Sequence, residues 1–378
     1  MKFSCIQENL YQGLQVVSHL ATKNTNLPIL SNVLLKIEDK NLKLISTNLE
    51  IGVSCLVRAK IEQEGEFTVD AKLFSDFLSL LPNDKIDLTL KDTSLQIEAK
   101  NYKTKIKGLP ATEFPLIPQI TKTTPFICQV SDFREAVADV IFAVSLAETR
   151  PEISGVYLNF NPQEKKITLA ATDSYRLAER KISLTKSGGE QEQTVIVPTK
   201  TLQELARILS ILKDEVLVEE NNNLEIYLTE NQILFSYNNI DLVSRIIEGQ
   251  YPDYKQIIPQ TYKTQVVIET NELIKKVKAV SLFTKSGIYD IKLEFNKTNK
   301  ETVISASNTQ TGENTTNILS EINGEDNNVV VNFRYVLDGL QSLNTNQVVI
   351  EINEPVNPIA IKPRKGKEYL YIVMPIKQ

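Results

Sequence analysis

The sequence predicts an α+β protein made of three copies of one unit, each with two helices packed on antiparallel sheet. Three recurrences support this. An apolar strand ending in a polar turn appears as "LKLISTNLEIGV", "KITLAATDSYRL" and "TVISASNTQTGE". Further along each copy, a β-branched strand runs into an amphipathic helix: "FTVDAKLFSDFLSLL", "VIVPTKTLQELARIL" and "VVVNFRYVLDGLQSL". Pairs of strands with period-2 alternation then follow, as in "NLEIYLTENQILFSYNN", where Ile226 and Leu228 alternate with Tyr227 and Thr229. Alternation implies one buried face per strand, which suits antiparallel sheet rather than a parallel doubly wound one.

Each element has a local reason. A first helix precedes every turn motif, in "IQENLYQGLQVVSHL", "SDFREAVADVIFAVS" and "TNELIKKVKAVSLF". The first two copies close alike, on "GLPATEFPLIP" and "EGQYPDYKQIIP". The 378 residues therefore divide into units 1–121, 122–260 and 261–378, each large enough for its own core.

The second helix of each copy carries the i, i+3, i+4, i+7 stripe of a helix lying on a sheet. Phe74, Phe77, Leu78 and Leu81 match Leu202, Leu205, Ala206 and Leu209, then Val336, Gly339, Leu340 and Leu343. Two residues ahead of each stripe stands a base: Lys72, Lys200 and Arg334. Helical periodicity turns that position away from the core, and Arg207 is expected on the same outward face as Lys200. Lys275 and Lys278, with Lys276 beside them, project opposite the apolar face of Leu273, Val277 and Val280. A cation near a helix N-terminus is disfavoured by about 0.3–1 kcal/mol. Stability therefore does not explain a base repeated at one site, whereas a shared anionic partner such as a phosphate backbone does.

Composition narrows the classes. With 42 Lys+Arg against 47 Asp+Glu the net charge is −5, so a nucleic-acid ligand requires the bases to be sorted onto one face. Cys5, Cys55 and Cys128 are scattered, which suits a reducing cytoplasm rather than a disulfide framework or a zinc site. His19 is the only histidine and is expected to be a surface or packing residue. No phosphate loop, HExxH pair or GxSxG elbow occurs, so neither a cofactor nor a metal is expected. No apolar run reaches the length of a membrane span, and "MKFSCIQENL" lacks a signal-peptide core, so a soluble cytoplasmic chain is expected.

"TDSYRL" at residues 172–177 admits three readings: an active site, a partner site or a hairpin. Asp173 aligns with Asn48 and Asn308 in the other copies, which marks it as a turn residue, with Arg176 as its ion-pair partner. A nuclease or hydrolase built on Asp173 would need a matched base or metal set that the sequence does not supply.

Taken together, "LPILSNVLL", "ATDSYRL", "YPDYKQIIP" and the closing "YIVMPIKQ" resemble, in order along the whole chain, the bacterial sliding clamps, the beta subunits of DNA polymerase III. That resemblance implies a non-catalytic processivity factor, a head-to-tail homodimeric ring that encircles double-stranded DNA without reading its sequence. It implies that the replicative polymerase, the clamp loader and repair proteins insert short linear peptides between the second and third domains. Carried over residue by residue, this peptide pocket takes Ile153, Thr172, Ser174, Tyr175, Arg176 and Leu177. It adds Pro252 and Ile257, Val356 and Pro358, and Ile372, Met374, Pro375 and Ile376 from the tail. Ser174-Tyr175 stands where the family commonly has Gly-His, and Gln256 where a cation is common. The bases Lys72, Lys200, Arg207, Lys275, Lys276, Lys278 and Arg334, with Lys23 and Arg150 in loops, would face DNA. Ile106 of one subunit would meet Leu282 and Phe283 of the next. Three repeats per chain favour a dimer over a trimer of two-domain subunits. A repeat scaffold that binds proteins without encircling DNA is the alternative reading.

Overall fold

The computed structural model describes residues 1–21, 27–118, 120–147, 149–211 and 222–377. Its helices are α1 (Gln7–Val17), α2 (Ala71–Ser79), α3 (Val130–Val140), α4 (Thr199–Ile211), α5 (Thr270–Ser281) and α6 (Phe333–Leu343). Each follows directly on a strand, which the recurrent strand-to-helix segments predict for α2, α4 and α6. Asp70 caps α2 by accepting from the amide of Leu73 at 2.7 Å, and Asn332 caps α6 by accepting from that of Arg334 at 2.9 Å. These side chains satisfy amides that the first helical turn leaves without partners.

The described residues gather into two compact units. Unit one comprises residues 1–130, 186–189 and 200–246; unit two comprises 131–185, 190–199 and 247–378. The sheet of unit one runs antiparallel through strands of the first copy and of the middle one. At its centre, Ile51–Val57 pairs with Asn41–Thr47 on one side and with Ile240–Arg245 on the other. In unit two the same arrangement recurs. Arg176–Ser183 lies between Lys166–Thr172 and the tail strand Tyr369–Val373, which in turn pairs with Ile359–Pro363. A separate four-stranded sheet packs beside α5.

The helix stripes go where the periodicity puts them. Phe74 and Leu78 on α2, Leu202, Leu205 and Leu209 on α4, and Val336, Leu340 and Leu343 on α6 are buried. Gly339 lets α6 approach Tyr371 closely: a Cβ there would overlap the ring. The alternation expected around Ile226 fails at Tyr227, which is buried and whose hydroxyl donates to the Glu225 carboxylate at 2.6 Å.

Candidate functional site

The turn of "TDSYRL" is built by its own side chains. The Thr172 hydroxyl donates to the Arg176 carbonyl at 2.6 Å and accepts from the Ser174 amide at 3.1 Å. Asp173 Oδ1 accepts from the amides of Tyr175 and Arg176 at 2.9 and 3.0 Å, and Ser174 adopts a φ of 77°. Unit one repeats this geometry at Thr47, Asn48 and Leu49, with Leu49 also at 77° and Asn48 in the place of Asp173. Asn308 likewise accepts from the Gln310 amide at 3.0 Å. The Asp173 carboxylate is thus engaged in holding the loop.

Arg176 is where the middle copy departs from the first, which has Ile51 in the same place. Its side chain is 12% exposed and every face is engaged. Nε donates to Asp173 Oδ2 at 3.0 Å, one terminal nitrogen pairs with Asp338, and the other donates to the Phe142 carbonyl at 2.8 Å. The guanidinium also lies 4.8 Å from the centre of the Tyr335 ring and 5.4 Å from that of Phe142. These interactions offset the cost of burying a cation. Burial raises the Tyr371 hydroxyl well above its ordinary pKa, and that hydroxyl donates to the Tyr335 carbonyl at 2.8 Å. Tyr175, 63% exposed, stacks on Tyr335 with ring centres 6.4 Å apart.

The tail closes over this turn. Its strand places Val373 opposite Arg176 and Ile372 opposite Leu177, and beyond it the Met374 amide donates to the Tyr175 carbonyl at 2.9 Å. Ile359 pairs with Val373, which brings Pro358 alongside the tail. Ser174, Tyr175 and Val356 are exposed, while Pro252, Ile257, Pro358, Met374, Pro375 and Ile376 are half-buried.

Four residues expected to line the pocket do not offer side chains to a ligand. Thr172 is buried in its turn, and Ile153, Leu177 and Ile372 are core residues packed with Tyr251 and Tyr254. Strand alternation turns Thr172, Leu177 and Ile372 inward, and Ile153 enters the same core from the short 3-10 helix Pro151–Ile153, so they form a floor beneath the accessible rim. Sequence reasoning missed Tyr335, Asp338 and Phe142. One signal was available: Asp76, Glu204 and Asp338 each follow the repeated base by four residues.

The bases separate into two groups. Lys72, Lys200, Lys275, Lys278 and Arg334 are exposed and Lys276 is half-buried; Arg334 lies 3.7 Å over the Tyr289 ring. Lys72, Lys200 and Arg334 each hold the second residue of their helix. Arg207 does not share the outward face expected for it. It pairs with the buried Glu204 at 2.6 Å and donates to the carbonyls of Gln15 and Val16 at 3.1 and 2.7 Å. Satisfying the last carbonyls of α1 draws its side chain inward. His19 is exposed, with Nδ1 2.6 Å from Glu204. Arg150 is held by Glu152 at 3.0 Å and donates to the Ser174 hydroxyl at 3.1 Å. Lys23 lies outside the described residues.

Ile106 is also corrected. It is buried, 3% exposed, in the strand Tyr102–Leu109, because alternation sends Lys103, Lys105 and Lys107 outward and Ile106 inward. Leu282 is 75% exposed and Phe283 half-buried. Cys5, Cys55 and Cys128 are buried. Among the described residues, no group of His, Cys, Asp and Glu is arranged to hold a metal ion. No helix among them is long and apolar enough to cross a membrane.

Comparison with known proteins gives one consistent result. Family models described as the N-terminal, central and C-terminal domains of the DNA polymerase III beta subunit match residues 1–118, 128–253 and 255–377. A beta sliding clamp of Synechococcus elongatus is 30% identical, covering 100% of this chain and 99% of the relative. A beta sliding clamp of Bacillus subtilis is 26% identical, with both chains covered at 100%. The crystal structure of a Pseudomonas aeruginosa DNA polymerase sliding clamp superposes with a TM-score of 0.90 at 26% identity, covering all of both chains.

Proposed function

This chain belongs to the DNA polymerase III beta-subunit family, the sliding clamps, and from that premise we propose a non-catalytic processivity factor that encircles double-stranded DNA in the bacterial cytoplasm. We read its domains as residues 1–121, 122–260 and 261–378, closed head to tail with a second copy into a ring. Two strand edges support that closure. Residues 102–107 of the strand Tyr102–Leu109 pair with Ser94–Ala99 on one side only among the described residues, and Gly312–Leu319 likewise pairs only with Glu301–Asn308. A pair of open edges in different units can continue one sheet from copy to copy. In this reading Leu282 and Phe283 belong to the same interface.

The observation that carries the DNA reading is an exposed base at the second residue of α2, α4 and α6. Sparse cations suit a mobile, salt-sensitive association with phosphates. With Lys275, Lys276 and Lys278 they are the proposed DNA-facing set. Polymerase, clamp loader and repair proteins dock as short peptides on the unit-two rim of Tyr175, Val356, Pro358, Met374, Pro375 and Ile376, beside Arg176. Half-buried apolar anchors with a flexible Met and a fixed cation beneath suit such a ligand. The test is loading onto nicked circular plasmid by a clamp loader, followed by linearisation. Retention on circles and loss from linear ends is expected; retention on linear DNA with free ends overturns encirclement.

A further inference from the structure

The turn, the proline-containing linker and the paired strands that build the unit-two rim occur a second time, in unit one. There, Gly52 pairs with Val243 as Leu177 pairs with Ile372, and Ser54 pairs with Asp241 as Glu179 pairs with Leu370. Leu34 stands opposite Ile45 as Tyr157 stands opposite Ala170. The linker "FPLI" at residues 114–117 takes the place of "YPDY" at 251–254.

The two copies differ in what fills the space under the linker. In unit two, Tyr157 stacks on Tyr251 with ring centres 5.0 Å apart and meets Tyr254 edge-on at 6.1 Å. The Tyr254 hydroxyl donates to buried Glu179 at 2.6 Å, and Leu177 completes the packing. In unit one the corresponding residues are Leu34, Phe114, Ile117, Ser54 and Gly52, all smaller than their counterparts. What remains is a cleft of about 670 Å³, with a second of about 270 Å³ along the same linker residues Pro115–Pro118. The larger cleft alone has the volume of a ligand site rather than a packing defect. Leu116 stands 97% exposed at its rim.

Charge identifies the occupant. Lys36 stands between Lys43 and Glu66 in strand register, so Glu66, which also lines the cleft, offsets the like-charge pair. Lys36 is paired with Glu38 at 2.8 Å, and Lys122 with Asp241 at 2.8 Å. Lys43 makes no ion pair among the described residues. The floor strands are interior to the sheet, so a ligand is read through side chains and not by adding a strand. We propose that this cleft is a second peptide-docking site, taking an extended segment with two apolar side chains under the linker and one acidic side chain on Lys43.

The test uses the full-length chain carrying Tyr175→Ala and Met374→Ala, so that failure of the unit-two site cannot be mistaken for failure of this one. The probes are fluorescein-labelled hexapeptides bearing two Leu or Phe residues and one Asp or Glu at every relative spacing, read by anisotropy. Saturable binding by at least one peptide is expected, weakened about tenfold by Lys43→Glu and by Gly52→Leu, or when its acidic residue becomes the amide. Gly52→Leu restores the side chain present in unit two but crowds Ile117, 2.9 Å from a Cβ there; Lys43→Glu reverses the charge of a half-buried side chain and adds no bulk. Absence of saturation across the panel overturns the proposal, as does binding indifferent to Lys43→Glu. Self-association in sedimentation that Lys43→Glu abolishes would instead assign the cleft to a second copy, and equally overturns it.

Discussion

The Met374 amide donates to the Tyr175 carbonyl across 2.9 Å, so the C-terminal tail and the middle-copy turn form one continuous rim. Tyr175 is therefore both a side chain on display and a backbone anchor. Substitution to Ala removes the first and leaves the second. Tyr175→Ala is expected to weaken a peptide from the cognate polymerase about tenfold, because an aromatic anchor is worth roughly 1–2 kcal/mol. The melting temperature should stay near that of the parent, since the ring is 63% exposed. Anisotropy and calorimetry on the same sample check both halves.

Arg176→Ala behaves differently. It strands Asp173 and Asp338 and empties a space lined by Tyr335 and Phe142, so a loss of about 3–5 kcal/mol is expected. Arg176→Lys should recover little of it, because an ammonium cannot reproduce the forked donors and ring stacking. Urea midpoints of the variants measure this.

Of this site, the turn was legible because its chemistry is local: Thr172 and Asp173 bond to atoms within four residues. The surroundings of Arg176 were not. Phe142, Tyr335 and Asp338 reach it from segments that only the folded sheet brings together. Arg207 shows the same limit. Helical periodicity gives a direction for its Cβ, while the long side chain bends back to the carbonyls of Gln15 and Val16. Ile106 shows the reverse case, since the alternation of its own strand is a local signal that outranks the family likeness.

The pH dependence of stability has a traceable contributor. Burial pushes Asp139 above its ordinary value of 3.8, with Lys367 and Arg180 opposing. The native state then holds this proton more tightly than the unfolded chain. Its contribution is present in full below that ordinary value and fades as pH rises through the raised native value. Asp139→Asn should remove that downward slope, which urea midpoints followed across the acidic range will reveal. An unchanged slope would assign the dependence to other groups.

Neutralising the repeated base tests the DNA-facing set. In the variant Lys72→Gln, Lys200→Gln, Arg334→Gln, the salt dependence of loading should fall. The drop is up to about 0.9 log unit per log unit of salt for each phosphate that is no longer neutralised. These side chains are exposed, so the fold should persist. Loading assays at graded salt give the slope.

Gly339→Ala sets a Cβ against the Tyr371 ring and is expected to destabilise unit two by about 1–3 kcal/mol through overpacking. Because Tyr371 belongs to the tail strand, polymerase-peptide binding should weaken in the same variant. Thermal melts with parallel anisotropy separate the two effects.

The strand Tyr369–Val373 has middle-copy residues on one side and third-copy residues on the other. One strand thus serves as the seam between two copies of the repeat. A substitution that loosens its pairing on either side is transmitted across it, so damage in the third copy reaches the turn at Arg176 without touching a residue of the middle one.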